Sequence, residues 1–141
     1  MRNNVFAASM MVLVVSGLVA ARLMSAEESS PQATASMSEL MTRIVQPTSD
    51  AVFYVSRFPP EDDTAWRELE NKALTLAESA NLLLIPGYVQ PQQQWLRDAL
   101  LMRDASVRAV RAAQARDLDA LMDLNNDLYE SCESCHTATR Q

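Results

Sequence analysis

Apolar residues recur along this chain at helical rather than strand spacing, in four successive segments. The first spans about residues 36–58, where Met37, Leu40, Met41, Ile44, Thr48, Ala51 and Val55 fall on one face at steps of three and four. Pro47 lies inside it, and its ring conflicts with the carbonyl of Arg43, so a kink is expected there. Pro59-Pro60 stops the segment. The second spans about 63–84, with Asp62 or Asp63 as its cap and Trp66, Leu69, Ala73, Leu76, Ala77, Ala80 and Leu83 as its stripe. Glu78 falls on the opposite, solvated face, and Pro86-Gly87 ends the helix.

The third segment spans about 91–115, with Pro91 in the first turn. Its inner stripe of Trp95, Ala99, Met102, Ala105, Ala109 and Ala112 is small, which suits close approach of a helix or of a flat cofactor. The fourth spans about 118–137 and is capped by Asp117. Leu118, Leu121, Met122, Asn125, Leu128, Tyr129, Cys132, Cys135 and His136 share one face, so the cysteines and the histidine continue a buried stripe. No alternating strand pattern and no internal repeat is present, and two glycines in 141 residues disfavour a turn-rich β fold. The expected fold class is all-α, an antiparallel four-helix bundle over residues 37–141.

Residues ahead of the bundle read differently. Val5 to Ala21 is almost wholly apolar, follows Arg2, and leads to Met24-Ser25-Ala26, which a signal peptidase could accept. Residues 1–26 are therefore expected to be a secretory signal, or an uncleaved anchor, since the apolar run approaches the length of a membrane span. Residues 27–36 form a flexible lead-in, and the mature chain is expected in the periplasm. The net charge of −6 argues against nucleic acid and anionic lipid, and it either steers the protein to basic partners or simply solubilises it.

Cys132-Glu133-Ser134-Cys135-His136 is a C-x-x-C-H sequence, the attachment signature of a c-type haem. Two thiols three residues apart can add to the two vinyl groups on one porphyrin edge, and the next residue offers an imidazole to the iron. A disulfide, a thioredoxin-like pair and half of a zinc site compete for the same spacing. Zinc needs more Cys or His than this chain has, and a thioredoxin-like pair needs strands. The expected cofactor is one covalent haem c, with thioethers at Cys132 and Cys135 and the iron on His136. No paired inner carboxylates and no second histidine are available for acid–base turnover, so an enzyme is not expected.

With this motif near the C-terminus, on the last of four helices, the chain resembles the class II c-type cytochromes, cytochrome c′ and the low-spin cytochrome c556 group. Leu128-Tyr129 and Leu40-Met41 add weaker likeness, and the resemblance covers residues 36–140. It departs at Thr139, where the family often has an aromatic, and Arg140 is then either a propionate contact or a frayed terminal arginine. The resemblance to the low-spin members implies single-electron transfer between redox partner proteins. It also implies Met41 as the sixth iron ligand, with Met37 as second choice, and a possible homodimer through the first two helices. Resemblance to cytochrome c′ proper implies instead an open site that binds nitric oxide or carbon monoxide.

Overall fold

A computed structural model describes residues 30–139, so the apolar N-terminal run and Arg140 lie outside the described residues. Six α-helices and one π-helical turn form four rods, and no strand occurs among the described residues. The first rod is α1 (Met37–Leu40), the π turn (Met41–Val45) and α2 (Gln46–Phe53). The second is α3 (Asp63–Leu82), the third α4 (Gln93–Ala115), and the fourth joins α5 (Leu118–Asp123) to α6 (Asn125–Thr139).

Hydrogen bonds between rods fix their directions. The Trp95 indole donates to Leu83 O at 2.8 Å, and Gln114 donates to Glu70 at 2.9 Å. The start of α4 thus meets the end of α3, and its end meets the start of α3. Gln94 reaches Ser134 at 2.9 Å while Arg108 pairs with Asp127, so α4 and α6 are also antiparallel. These rods form a helical bundle.

Local chemistry explains most helix ends. Ser36 caps α1 in a capping box: its hydroxyl accepts from Glu39 N at 3.2 Å, and Glu39 accepts in return from Ser36 N at 3.1 Å. The Ser36 N–H and the Ser36 hydroxyl, the latter at 2.9 Å, both donate to Glu39 Oε2 and hold this exposed carboxyl below its ordinary range. Asp62 accepts from Ala65 N at 2.8 Å and Asp117 from Ala120 N at 2.9 Å. Gln92 precedes α4 without any side-chain cap. Pro91 lies ahead of the helix rather than in its first turn.

Gly87, between α3 and α4, has φ +96°, and a Cβ there would sit 2.7 Å from the Ala33 side chain. Ala35 is held nearby, since its N–H donates to the Tyr88 hydroxyl at 3.3 Å and its carbonyl accepts from it at 2.8 Å.

The core is built from small and branched residues. Leu76, Ala73, Ala80, Ala105, Ala109 and Leu121 are essentially fully buried. Alanines on both α3 and α4 let the two backbones approach closely. Ser79 and Ser106, buried between them, return their hydroxyls to Leu76 O and Met102 O at 2.7 Å.

The expected stripes of the second and third segments hold, with Trp66 partly buried and the rest buried. The first and fourth differ from expectation. The kink at Pro47 takes the form of the π turn just before it. Pro47 has no N–H and crowds the carbonyl behind it, and widening the preceding turn relieves this, with Gln46 N bonded to Met41 O. Thr48 then donates its hydroxyl to Ile44 O at 2.6 Å.

The wide turn absorbs one extra residue, which rotates everything after it by about 100°. Leu40, Thr48 and Val55 of the expected stripe stay buried, Val45, Ser49 and Val52 join them, and Ala51 moves to the edge. The first rod also ends at Phe53, with a hydrogen-bonded turn from Tyr54 to Phe58 ahead of Pro59. In the fourth rod the helix breaks at Leu124, and Met122 and Tyr129, expected inside, are 36% and 58% exposed.

Candidate cofactor cleft

Residues from all four rods converge on one cleft. Met41 and Val45 come from the π turn, and Leu83 follows α3. Trp95, Asp98, Ala99 and Met102 come from α4, and Ser131, Cys132, Cys135 and His136 from α6. The cleft is narrow, with a cavity volume of about 30 Å³, and is partly open to solvent. Its walls are mostly apolar.

The fourth rod presents its motif as helical spacing dictates. Cys132 and Cys135 lie one turn apart, half-buried on the face toward the cleft, and no disulfide joins them. Burial pushes both thiols up in pKa. For Cys135 burial, the charge of Asp98 and the neighbouring Cys132 raise it to about 11. For Cys132 burial is partly offset by the hydroxyl of Ser131, 4.0 Å from its sulfur. The two thiols are therefore neutral sulfurs at physiological pH. His136 lies in the last turn of α6 and lines the same cleft, but it is exposed rather than buried as the stripe predicted. The imidazole thus stands at the exposed rim of the cleft.

Across from α6 stands Met41. Asn125, at the start of α6, donates to Phe53 O at 3.4 Å, which ties the start of α6 to the end of α2. The two rods run in opposite directions from that point, and the motif at the far end of α6 meets the π turn at the far end of the first rod. Met37, the second expected candidate, is partly buried against the core and does not line the cleft. Met102, which the periodicity assigns to ordinary packing, is buried and lines the cleft as well.

Asp98 is the residue that periodicity missed. It occupies a buried position of α4 at 4% exposure, and the acidic side chain hides among apolar neighbours. The only signal in the sequence is its place three residues after Trp95 and one before Ala99, on the edge of the small stripe.

The donors in the cleft are two thiols, one imidazole at the rim, two methionine thioethers, the Asp98 carboxylate and the Ser131 hydroxyl. Among the described residues no group of three His, Cys, Asp or Glu side chains gathers to hold a bare metal ion. The set suits a cofactor that brings its own metal ligands and takes covalent links from sulfur. No described helix is long and apolar enough to cross a membrane. Comparisons with family models, with curated proteins and with solved structures each return no significant match.

Proposed function

We propose that this chain is an exported monohaem c-type cytochrome that carries single electrons between redox partner proteins. The observation that carries the reading is the convergence of both thiols and the imidazole of C-x-x-C-H on one apolar cleft, opposite a methionine. The residues fit the group. Neutral thiols are the form that adds across a vinyl bond, sulfur to one carbon and its hydrogen to the other, and burial keeps Cys132 and Cys135 in that form.

In this reading Cys132 and Cys135 hold the haem through thioethers, and His136 supplies the proximal nitrogen. Bound haem supplies a one-electron iron couple, so no proton or group needs to move during turnover. Val45, Leu83, Trp95 and Ala99 give the cleft apolar walls. The open rim beside His136 leaves an edge through which a partner can exchange an electron. Met41 is the proposed sixth ligand. A thioether favours ferrous iron and raises the potential. The π turn supports this choice, because such turns set one residue apart from the regular helical face and are frequent at functional sites.

The test is the full chain expressed with c-type maturation. Acid-acetone extraction should leave one haem per chain by mass, and replacing both cysteines by Ser should leave none. Freely extractable haem, or a Cys132–Cys135 disulfide in the mature protein, would sink the reading. The ferric spectrum of wild type should show the weak long-wavelength band of methionine–iron bonding. Met41→Ala should lose that band and Met102→Ala should keep it. A high-spin wild type that binds carbon monoxide at once would move the protein to gas binding.

A further inference from the structure

Asp98 is the one charged side chain among the buried described residues. Its two oxygens are treated differently. Oδ1 accepts from Gln94 Nε2 at 2.7 Å, and the same amide nitrogen donates to Ser134 Oγ at 2.9 Å. Gln94 thereby clamps the carboxylate to α6, the helix that bears the cysteines. Oδ2 is buried with no hydrogen-bond partner. An acceptor left in that state costs about 1–3 kcal/mol, and more when charged. The neighbours Ala99 and Met102 show that the position could be apolar. A carboxylate fixed there and left half-satisfied calls for a role in the cleft.

The cleft supplies one. Asp98 lines it with Cys132, Cys135 and His136. Ferric haem carries one more positive charge than ferrous haem. A carboxylate inside a poorly solvated cleft interacts with that charge far more strongly than one in water. We infer that Asp98 is a potential-setting residue, whose clamped carboxylate stabilises the ferric form of a haem held at Cys132, Cys135 and His136. It opposes the methionine ligand, which favours the ferrous form. The change it biases is one electron lost by iron to a partner, with no bond made or broken. The inference rests on the haem reading above.

The experiment is a potentiometric titration of the full-length holoprotein at one pH, followed by its absorption bands, for wild type, Asp98→Asn and Asp98→Glu. Asn keeps the shape and the acceptor for Gln94 but removes the charge. It should raise the ferrous-to-ferric ratio at fixed potential at least about tenfold, a 59 mV rise for a one-electron couple. Band positions should stay as in wild type, which shows that the iron ligands are unchanged, and Glu should remain near the wild-type potential. If Asn does not accumulate, Asp98→Ser removes the charge with a smaller side chain, and the same rise is expected. An unchanged or lowered potential with a wild-type spectrum overturns the assignment. So does a chain that folds only with an acid at this position, since the carboxylate would then be structural. Wild type without covalent haem removes the underlying reading instead, which separates the two failures.

Discussion

Helices α3 and α4 run for 20 and 23 residues without interruption, whereas the first and fourth rods are each broken once. The middle pair is joined by alanine faces and by serines that satisfy their own hydroxyls. The outer pair carries a π turn, a break at Leu124 and the half-satisfied Asn125. The cleft is lined by the outer rods and the first half of α4. The regular pair is a scaffold, and of the irregularities the π turn lines the cleft, while the break at Leu124 and Asn125 lie at the opposite end of α6, beside Phe53. Such departures from ideal geometry cost stability and persist where the surroundings overrule local preference.

The largest test of that contrast is a pair of truncations. Leu76 is fully buried in the scaffold, and Leu76→Ala should cost about 2–5 kcal/mol in denaturant unfolding of the apo chain. Met102→Ala, at the open cleft, should fall at or below the bottom of that range, because it enlarges an existing space rather than creating a closed one. Equal costs would break the comparison. Next in size is Gly87→Ala, which meets both a positive φ and the Ala33 side chain. It should cost about 1–3 kcal/mol, visible as a lower thermal midpoint.

Capping gives a smaller effect of either sign. Asp62→Ala should lose about 1 kcal/mol, while Gln92→Asp, at a helix start with no side-chain cap, should gain up to about that much. A loss in both variants would show that α4 is held by packing alone.

The smallest is a pH effect confined to the apo chain. Cys135 holds its proton to about pH 11 when folded, above the ordinary thiol value of 9.0. The folded state binds that proton more tightly than the unfolded state. Its contribution is therefore fully present below the unfolded pKa and is lost as pH rises from about 9 to 11. Unfolding midpoints measured across that window should fall, and Cys135→Ser should flatten the slope.

Much of this molecule was legible from residue order. The stripes of α3 and α4 matched because long uninterrupted helices keep their period, and nothing between Leu69 and Ala112 within those helices disturbs it. The caps at Asp62 and Asp117 matched because a carboxylate three residues ahead of an N–H is a local arrangement. In the first rod Thr48 and Val55 are buried as the stripe predicts, but Val45, Ser49 and Val52 join them and Ala51 does not, since a proline reports that a helix must bend but not whether it bends by widening a turn. Val52 rather than Ala51 is buried for that reason. Met122, Tyr129 and His136 shared a stripe with true core residues, yet a stripe wider than its partner's surface leaves its margins in water.

By itself, the sequence determined an all-helical chain, its breaks at proline and glycine, and the chemistry available at Cys132, Cys135 and His136. Those follow from local rules: periodicity, capping, and the reach of side chains three and four residues apart. Tertiary structure decided which methionines share a cleft with the motif, since Met41 and Met102 line it and Met37 does not, and that depends on how the rods pack. It also decided that Asp98 is buried with one oxygen unpaired, since burial depends on what the other rods bring to that position.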